Sequence, residues 1–193
     1  MESKEKAAYL SDEQILDLYF AREERAIAET DRKYCQYLHT VAYNILANEQ
    51  DAEECLQDTY LRAWNAIPPE RPHVLCAFLA KITRNLSLSR YKAAKRQKRV
   101  LSEASISLEE LGDCVPDGEH FTDDSAVIAE VISNYLKSIP KRRMYIFVSR
   151  YFYMLTVQQI ATRLSCSVSL VKKELVSIRK SLRQALEKEG IDV

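Results

Sequence analysis

Apolar side chains recur along most of this chain at three- and four-residue intervals, the spacing that lines one face of an α-helix. Ile15, Leu18, Tyr19 and Ala26 mark a first helix from near Asp12 to about Ala28. Ser11 and Gln14 form a capping box at its start, with Leu10 placed for a hydrophobic staple. Tyr34, Leu38, Val41, Ala42 and Ile45 share one face of a second helix, from Asp31 to about Ala47. Asn48 can cap a third, Glu49 to about Ile67, whose early acids Asp51, Glu53 and Glu54 suit the positive end of the helix dipole. Pro68 and Pro69 end it. Leu75, Phe78, Leu79, Ile82 and Leu86 line a fourth helix from roughly Val74 to Arg99.

The periodicity lapses between Leu101 and Ser125, where Gly112, Pro116 and Gly118 stand among acids, and a linker is expected there. It resumes from Ala126 to about Ser138 and stops at Pro140; a further helix runs from Lys141 to about Tyr153. Then a short apolar helix (Val157, Ile160, Ala161, Leu164) meets Ser165-Cys166-Ser167 and a longer one, apolar at Val168, Val171, Leu175, Ile178, Leu182 and Leu186. Lys172, Lys173, Arg179, Lys180 and Arg183 give the longer helix a cationic flank. Two helices on a tight turn, the second one basic, is the shape that enters a DNA major groove. The expected fold is all-α.

Composition agrees: 47% hydrophobic residues are enough for packed cores, and only 3 Gly and 5 Pro interrupt 193 residues. The formal net charge of +0 would argue against a nucleic-acid partner if it were evenly spread, and it is not. Residues 1–70 hold 15 acids against 7 Lys or Arg, whereas residues 71–102 hold 9 Lys or Arg and no acid. Residues 103–130 carry 9 acids and no Lys or Arg; from Lys137 to Arg183 there are 11 bases and one acid, Glu174. Such sorting predicts two cationic surfaces, an acidic tether and an acidic N-terminal face.

No signal peptide or membrane span is legible, so a cytoplasmic protein with reduced cysteines is expected. Its 5 cysteines include no CxxC pair. Cys35-x3-His39 and His73-x2-Cys76 would have to converge to hold zinc, and no tight Cys/His cluster supports that. Neither a metal nor another cofactor is expected, and no nucleophile with an evident base partner points to an enzyme. Most of the cysteines are read as small core residues, with Cys114 in the linker as the exposed one.

Three segments resemble the extracytoplasmic-function (group IV) sigma factors of bacterial RNA polymerase. Asp51-Ala52-Glu53-Glu54-Cys55-Leu56-Gln57-Asp58-Thr59-Tyr60-Leu61-Arg62-Ala63-Trp64 is similar to the family's polymerase-binding stretch in region 2. Phe78-Leu79-x-Lys81-Ile82-x-Arg84-Asn85-Leu86 with its basic tail resembles the part that reads and opens the −10 element. Leu136-x-x-Ile139-Pro140-x-x-Arg143 and the helix-turn-helix resemble region 4, which reads the −35 element. The chain departs from the family pattern at Phe78 and Ser89, where members often have Trp and Asp. It departs again at Ser165, in place of the turn glycine, and at Glu174 and Ser177, in place of arginines.

The resemblance implies two helical domains on a tether: residues 1–100 as region 2, 101–125 as a flexible acidic linker, and 126–193 as region 4 with its helix-turn-helix at about 156–176. Core polymerase, through the clamp helices of its largest subunit, would dock on Asp51, Glu54, Gln57, Asp58 and Leu61. Those last four lie at i, i+3, i+4 and i+7, one acidic helix face with an apolar edge. The polymerase flap region would be a second contact. Arg84, Asn85, Arg90, Lys92, Lys95 and Arg96 would bind the −10 element, the cations on phosphates and Asn85 on a base edge. Ser167, Ser169, Lys172, Lys173 and Arg179 would bind the −35 element. Many members are held by an anti-sigma factor, which the resemblance adds as a further partner. The alternative is a stand-alone helix-turn-helix regulator that binds operators without polymerase.

Overall fold

The structure, a computed structural model, describes residues 9–99 and 125–191, the side chains of 96–99 and of 125 and 126 excepted. The expected linker and Cys114 lie outside the described residues. By its contacts the chain divides into two compact units, residues 1–96 and 97–193. The described elements are all helical.

In the first unit, α1 (Asp12–Phe20), α2 (Arg25–Leu46), α3 (Glu49–Ala66) and α4 (Leu75–Arg99) follow in order. Their apolar stripes meet in one core that includes Ile15, Tyr19, Leu38, Tyr60, Ile67 and Leu79. The capping box of α1 is present, Ser11 Oγ accepting from the Gln14 amide and Gln14 accepting from the Ser11 amide. Asn48 caps α3 by accepting from the Asp51 amide at 3.1 Å. Buried Tyr19 and Thr30 satisfy each other's hydroxyls at 3.1 Å.

The first helix is shorter than its pattern suggested, and the second begins earlier. The chain breaks at Ala21–Glu24, with Arg22 in the left-handed region (φ 56). The Glu23 amide turns back onto the Leu18 carbonyl, which closes the helix end. Tertiary contact holds this break: Arg22 donates to the Trp64 carbonyl at 2.6 Å and lies over the Trp64 ring at 5.2 Å. A left-handed arginine is strained on its own, and those two contacts offset the cost.

A polar seam joins α3 to α4. Thr59 and Thr83 share a hydroxyl hydrogen bond at 3.1 Å, and Cys55 Sγ meets Ser87 Oγ at 3.2 Å. Each hydroxyl also returns a bond to the carbonyl one turn earlier in its own helix, so every buried oxygen in the seam has a partner. The pairing of 59 with 83 and 55 with 87 runs the helices antiparallel, which carries the N-terminal turns of α3 toward the basic end of α4. That register positions the site described below.

The second unit contains α5 (Ser125–Ser138), α6 (Lys141–Tyr151), α7 (Val157–Arg163) and α8 (Val168–Lys188). Its core is built from Ile146, Phe147, Leu155, Ile160, Val171, Leu175 and Ile178. Arg150 is buried under the α6–α7 connection and donates to the Leu155 carbonyl at 3.0 Å. Thr156 and Gln159 form a capping box at the start of α7. Tyr135 reaches from α5 to α8, donating to the Ile178 carbonyl at 3.2 Å and meeting the Ser181 hydroxyl.

Candidate functional site

On α3 the core takes Ala52, Cys55, Leu56, Thr59, Tyr60 and Ala63, which leaves the opposite face to solvent. Asp51, Glu54, Gln57 and Leu61 are exposed on that face and Asp58 is half-buried. Leu61 is 58% exposed, a large apolar side chain beside carboxylates with no core to join. A basic helix from a partner could place its stem against Leu61 and its charges on the carboxylates.

One cation already occupies the acidic face. Arg90 on α4 donates from Nη1 to Glu54 Oε2 at 2.9 Å and from Nη2 to Asp58 Oδ2 at 2.6 Å. Its hydrogen bonds to Asp58 and Glu54 hold its pKa above the ordinary arginine value. The contacts use one oxygen of each carboxylate. Side chains 31% to 56% exposed make this a surface network, screened by solvent and modest in energy. Two expected sites thus meet in one ion-pair cluster. The spacing Leu79, Thr83, Leu86, Arg90 carries the packed stripe of α4 past its last apolar residue, and that signal places Arg90 against α3.

The remaining expected residues of α4 divide. Asn85 and Lys92 are exposed, Tyr91 and Lys95 half-buried, and the side chain of Arg96 lies outside the described ones. Arg84 is only 7% exposed, so its guanidinium is not presented at the surface for a phosphate. It falls outside the Leu75–Leu79–Ile82–Leu86 stripe, and its burial comes from tertiary packing on another side of the helix. Phe78 is core at 7% exposure, and Pro72 in the preceding loop is buried while His73 beside it is exposed.

In the second unit α7 and α8 are joined as the sequence pattern predicts. Ser165 takes the left-handed conformation (φ 49) that its place in the turn requires, and the Cys166 amide closes back on the Ala161 carbonyl at 3.0 Å. Ser167 is the N-cap of α8, its Oγ accepting from the Leu170 amide at 3.2 Å. That duty fixes its orientation. Ser169, Lys172, Lys173, Arg179 and Lys180 are exposed. Glu174 is not a bare acid among them, because Arg143 from α6 lies against it at 2.9 Å.

Burial raises the pKa of the Cys55 thiol, opposed in part by its bond to Ser87, and burial likewise raises that of Cys76. These are protonated packing residues. Among the described residues, no group of three or more His, Cys, Asp or Glu comes together to hold a metal, and no helix is long and apolar enough to cross a membrane.

Residues 31–97, from early α2 to the end of α4, match the family model for Sigma-70 region 2. The chain is 27% identical over 166 residues to the ECF RNA polymerase sigma factor SigE of Mycolicibacterium smegmatis, a span covering 84% of this chain. That span is 62% of the relative's own length. A solved structure of CnrH in complex with the cytosolic domain of CnrY is similar at a TM-score of 0.43 and 17% identity, over 92% of this chain and 97% of that one. The α3 face and the basic helix both fall inside the region 2 match, and the wider similarity runs along most of the chain. Residues 31–97 thus carry the Sigma-70 region 2 pattern, and the chain is similar over most of its length to an extracytoplasmic-function sigma factor.

Proposed function

We propose that this protein is a promoter-specificity factor that binds core RNA polymerase and directs transcription initiation without catalysing a reaction itself. Core polymerase docks on Asp51, Glu54, Gln57, Asp58 and Leu61. Asn85, Lys92 and Lys95 of α4 contact the −10 element, and α8 contacts the −35 element through Ser169, Lys172, Lys173 and Arg179. Arg90 stands between the first two sites, available to DNA only when its carboxylates are taken by a partner.

The observation that carries this reading is the exposed α3 face, where carboxylates flank a 58%-exposed Leu61 inside the stretch matching region 2. A docking face gains from burying an exposed apolar side chain at its centre, with the flanking carboxylates steering a basic partner onto it. Two modest DNA contacts held on one chain act as one avid contact, which suits a factor with a reader in each unit.

Run-off transcription with purified core polymerase over a pool of promoter fragments tests it. Discrete transcripts should require the protein and vanish with Glu54→Arg/Asp58→Arg. Since that variant also strips Arg90 of its partners, Arg90→Ala is run beside it and should retain core binding. Wild-type protein that binds no core yet protects particular DNA would establish the stand-alone regulator in place of the sigma factor.

A further inference from the structure

The acid in the middle of the reader helix has a specific partner, and that partner carries a charge to the surface of α8. Arg143, in the first turn of α6, places Nε 2.9 Å from Glu174 Oε2 and donates from Nη2 to Ser177 Oγ at 2.6 Å. Glu174 and Ser177 are three residues apart on α8, so they lie on one shoulder of it. The Nε atom is buried, and its contact with Glu174 is an ion pair rather than an aligned hydrogen bond. Side-chain exposures of 27% and 32% make this pair less screened than a rim pair. Ser177 by contrast is exposed, and Arg143 is half-buried beside it.

We propose that Arg143 is a DNA-backbone contact of the helix-turn-helix, carried on α6 but presented on the surface of α8 by Glu174 and Ser177. This rests on the reading of α8 as the DNA-facing helix. The contacts to α8 run through Nε and Nη2, and the Arg143 side chain remains 27% exposed. A guanidinium held at two points with part of its side chain in solvent is pre-organised to take a phosphate. An unpaired Glu174 would repel a phosphate. Paired, it neutralises itself and orients a donor toward the same place. Glu174 and Ser177 are then positioning residues that read no base.

Promoter binding by the complex of full-length protein with core polymerase, measured across a salt series, tests the proposal. Arg143→Ala should weaken binding and reduce the slope of log affinity against log salt by about one. Arg143→Lys should keep the slope and lose affinity, because an ammonium cannot span both partners. Glu174→Ala carries the decisive sign. It should weaken binding roughly five- to tenfold in the wild-type background, where it releases Arg143. In the Arg143→Ala background it should tighten binding, where it removes a stranded acid.

Tightening by Glu174→Ala in both backgrounds would make Glu174 a plain repulsive acid and overturn the proposal. So would an unchanged salt slope in Arg143→Ala with a lowered melting temperature, which would make Arg143 only a brace between α6 and α8. Wild-type complex that binds no promoter DNA would overturn the reading of α8 and this inference together, an outcome distinct from the other two.

Discussion

At the residue scale, the informative positions are those where a side chain sits against its own preferences. Ser165 holds a positive φ of 49 without being glycine, and its amide and that of Cys166 close the turn onto Thr162 and Ala161. Ser165→Gly removes the Cβ that strains this conformation and should stabilise the second unit by about 1 kcal/mol, while Ser165→Val should destabilise it more strongly. Thermal unfolding of the full chain, followed for the transition of that unit, checks both signs. Cys55 offers a titration. Its thiol pKa lies above the ordinary 9.0 because burial disfavours the thiolate, so the folded state holds the proton more tightly than the unfolded chain. The stabilisation is fully present below the ordinary value and is lost as pH rises through the folded value. The first unit should therefore soften in alkali, and Cys55→Ala should flatten that limb in urea melts at pH 7 and pH 10.5. Cys55 is one of the cysteines read as small core residues; its thiol–hydroxyl contact with Ser87 was not legible, since that needs the register of two helices.

Among the elements, boundaries set by local chemistry were readable and those set by distant contact were not. Ser11 and Asn48 cap helices as read from the sequence; Thr156 and Ser167 also prove to be caps, the latter a residue expected only as a DNA contact, and each bonds an amide three residues on. The break between α1 and α2 belongs to the other class. Nothing in Ala21-Arg22-Glu23-Glu24 forbids a helix, and the apolar spacing runs on to Ala26. Contact with Trp64 on α3 selects the break. Arg22→Ala removes one hydrogen bond and one cation–π contact and should cost the first unit about 1–2 kcal/mol. Trp64 is the single tryptophan of the chain, so its emission should shift to the red at the same time. Unchanged emission would mean that the break does not depend on Arg22. The α3 face was visible because its residues share one helix; the Arg90 clamp upon it required knowing which helix lies alongside.

On the scale of the whole molecule, two compact units have separate cores, one within the region 2 match and one with the helix-turn-helix. Deleting residues 103–125 should leave the melting of each unit unchanged and abolish promoter-directed transcription by coupling two DNA contacts at the wrong span. Run-off assay beside calorimetry checks this; full activity from the deletion would remove any role for the acidic segment.

The sequence by itself determined the helical class, the caps at Ser11 and Asn48, the acidic face of α3 and the helix-turn-helix. All of these follow from interactions within four or five residues, where apolar periodicity and capping chemistry act. Only the tertiary structure decided which charges are available. Arg84 is buried, Arg90 is bound to Glu54 and Asp58, and Glu174 is paired with Arg143 from another helix. The physical reason is that a charge's freedom depends on what packs beside it. For a long cationic side chain that neighbour is set by the crossing of helices far apart in sequence, which no local pattern records.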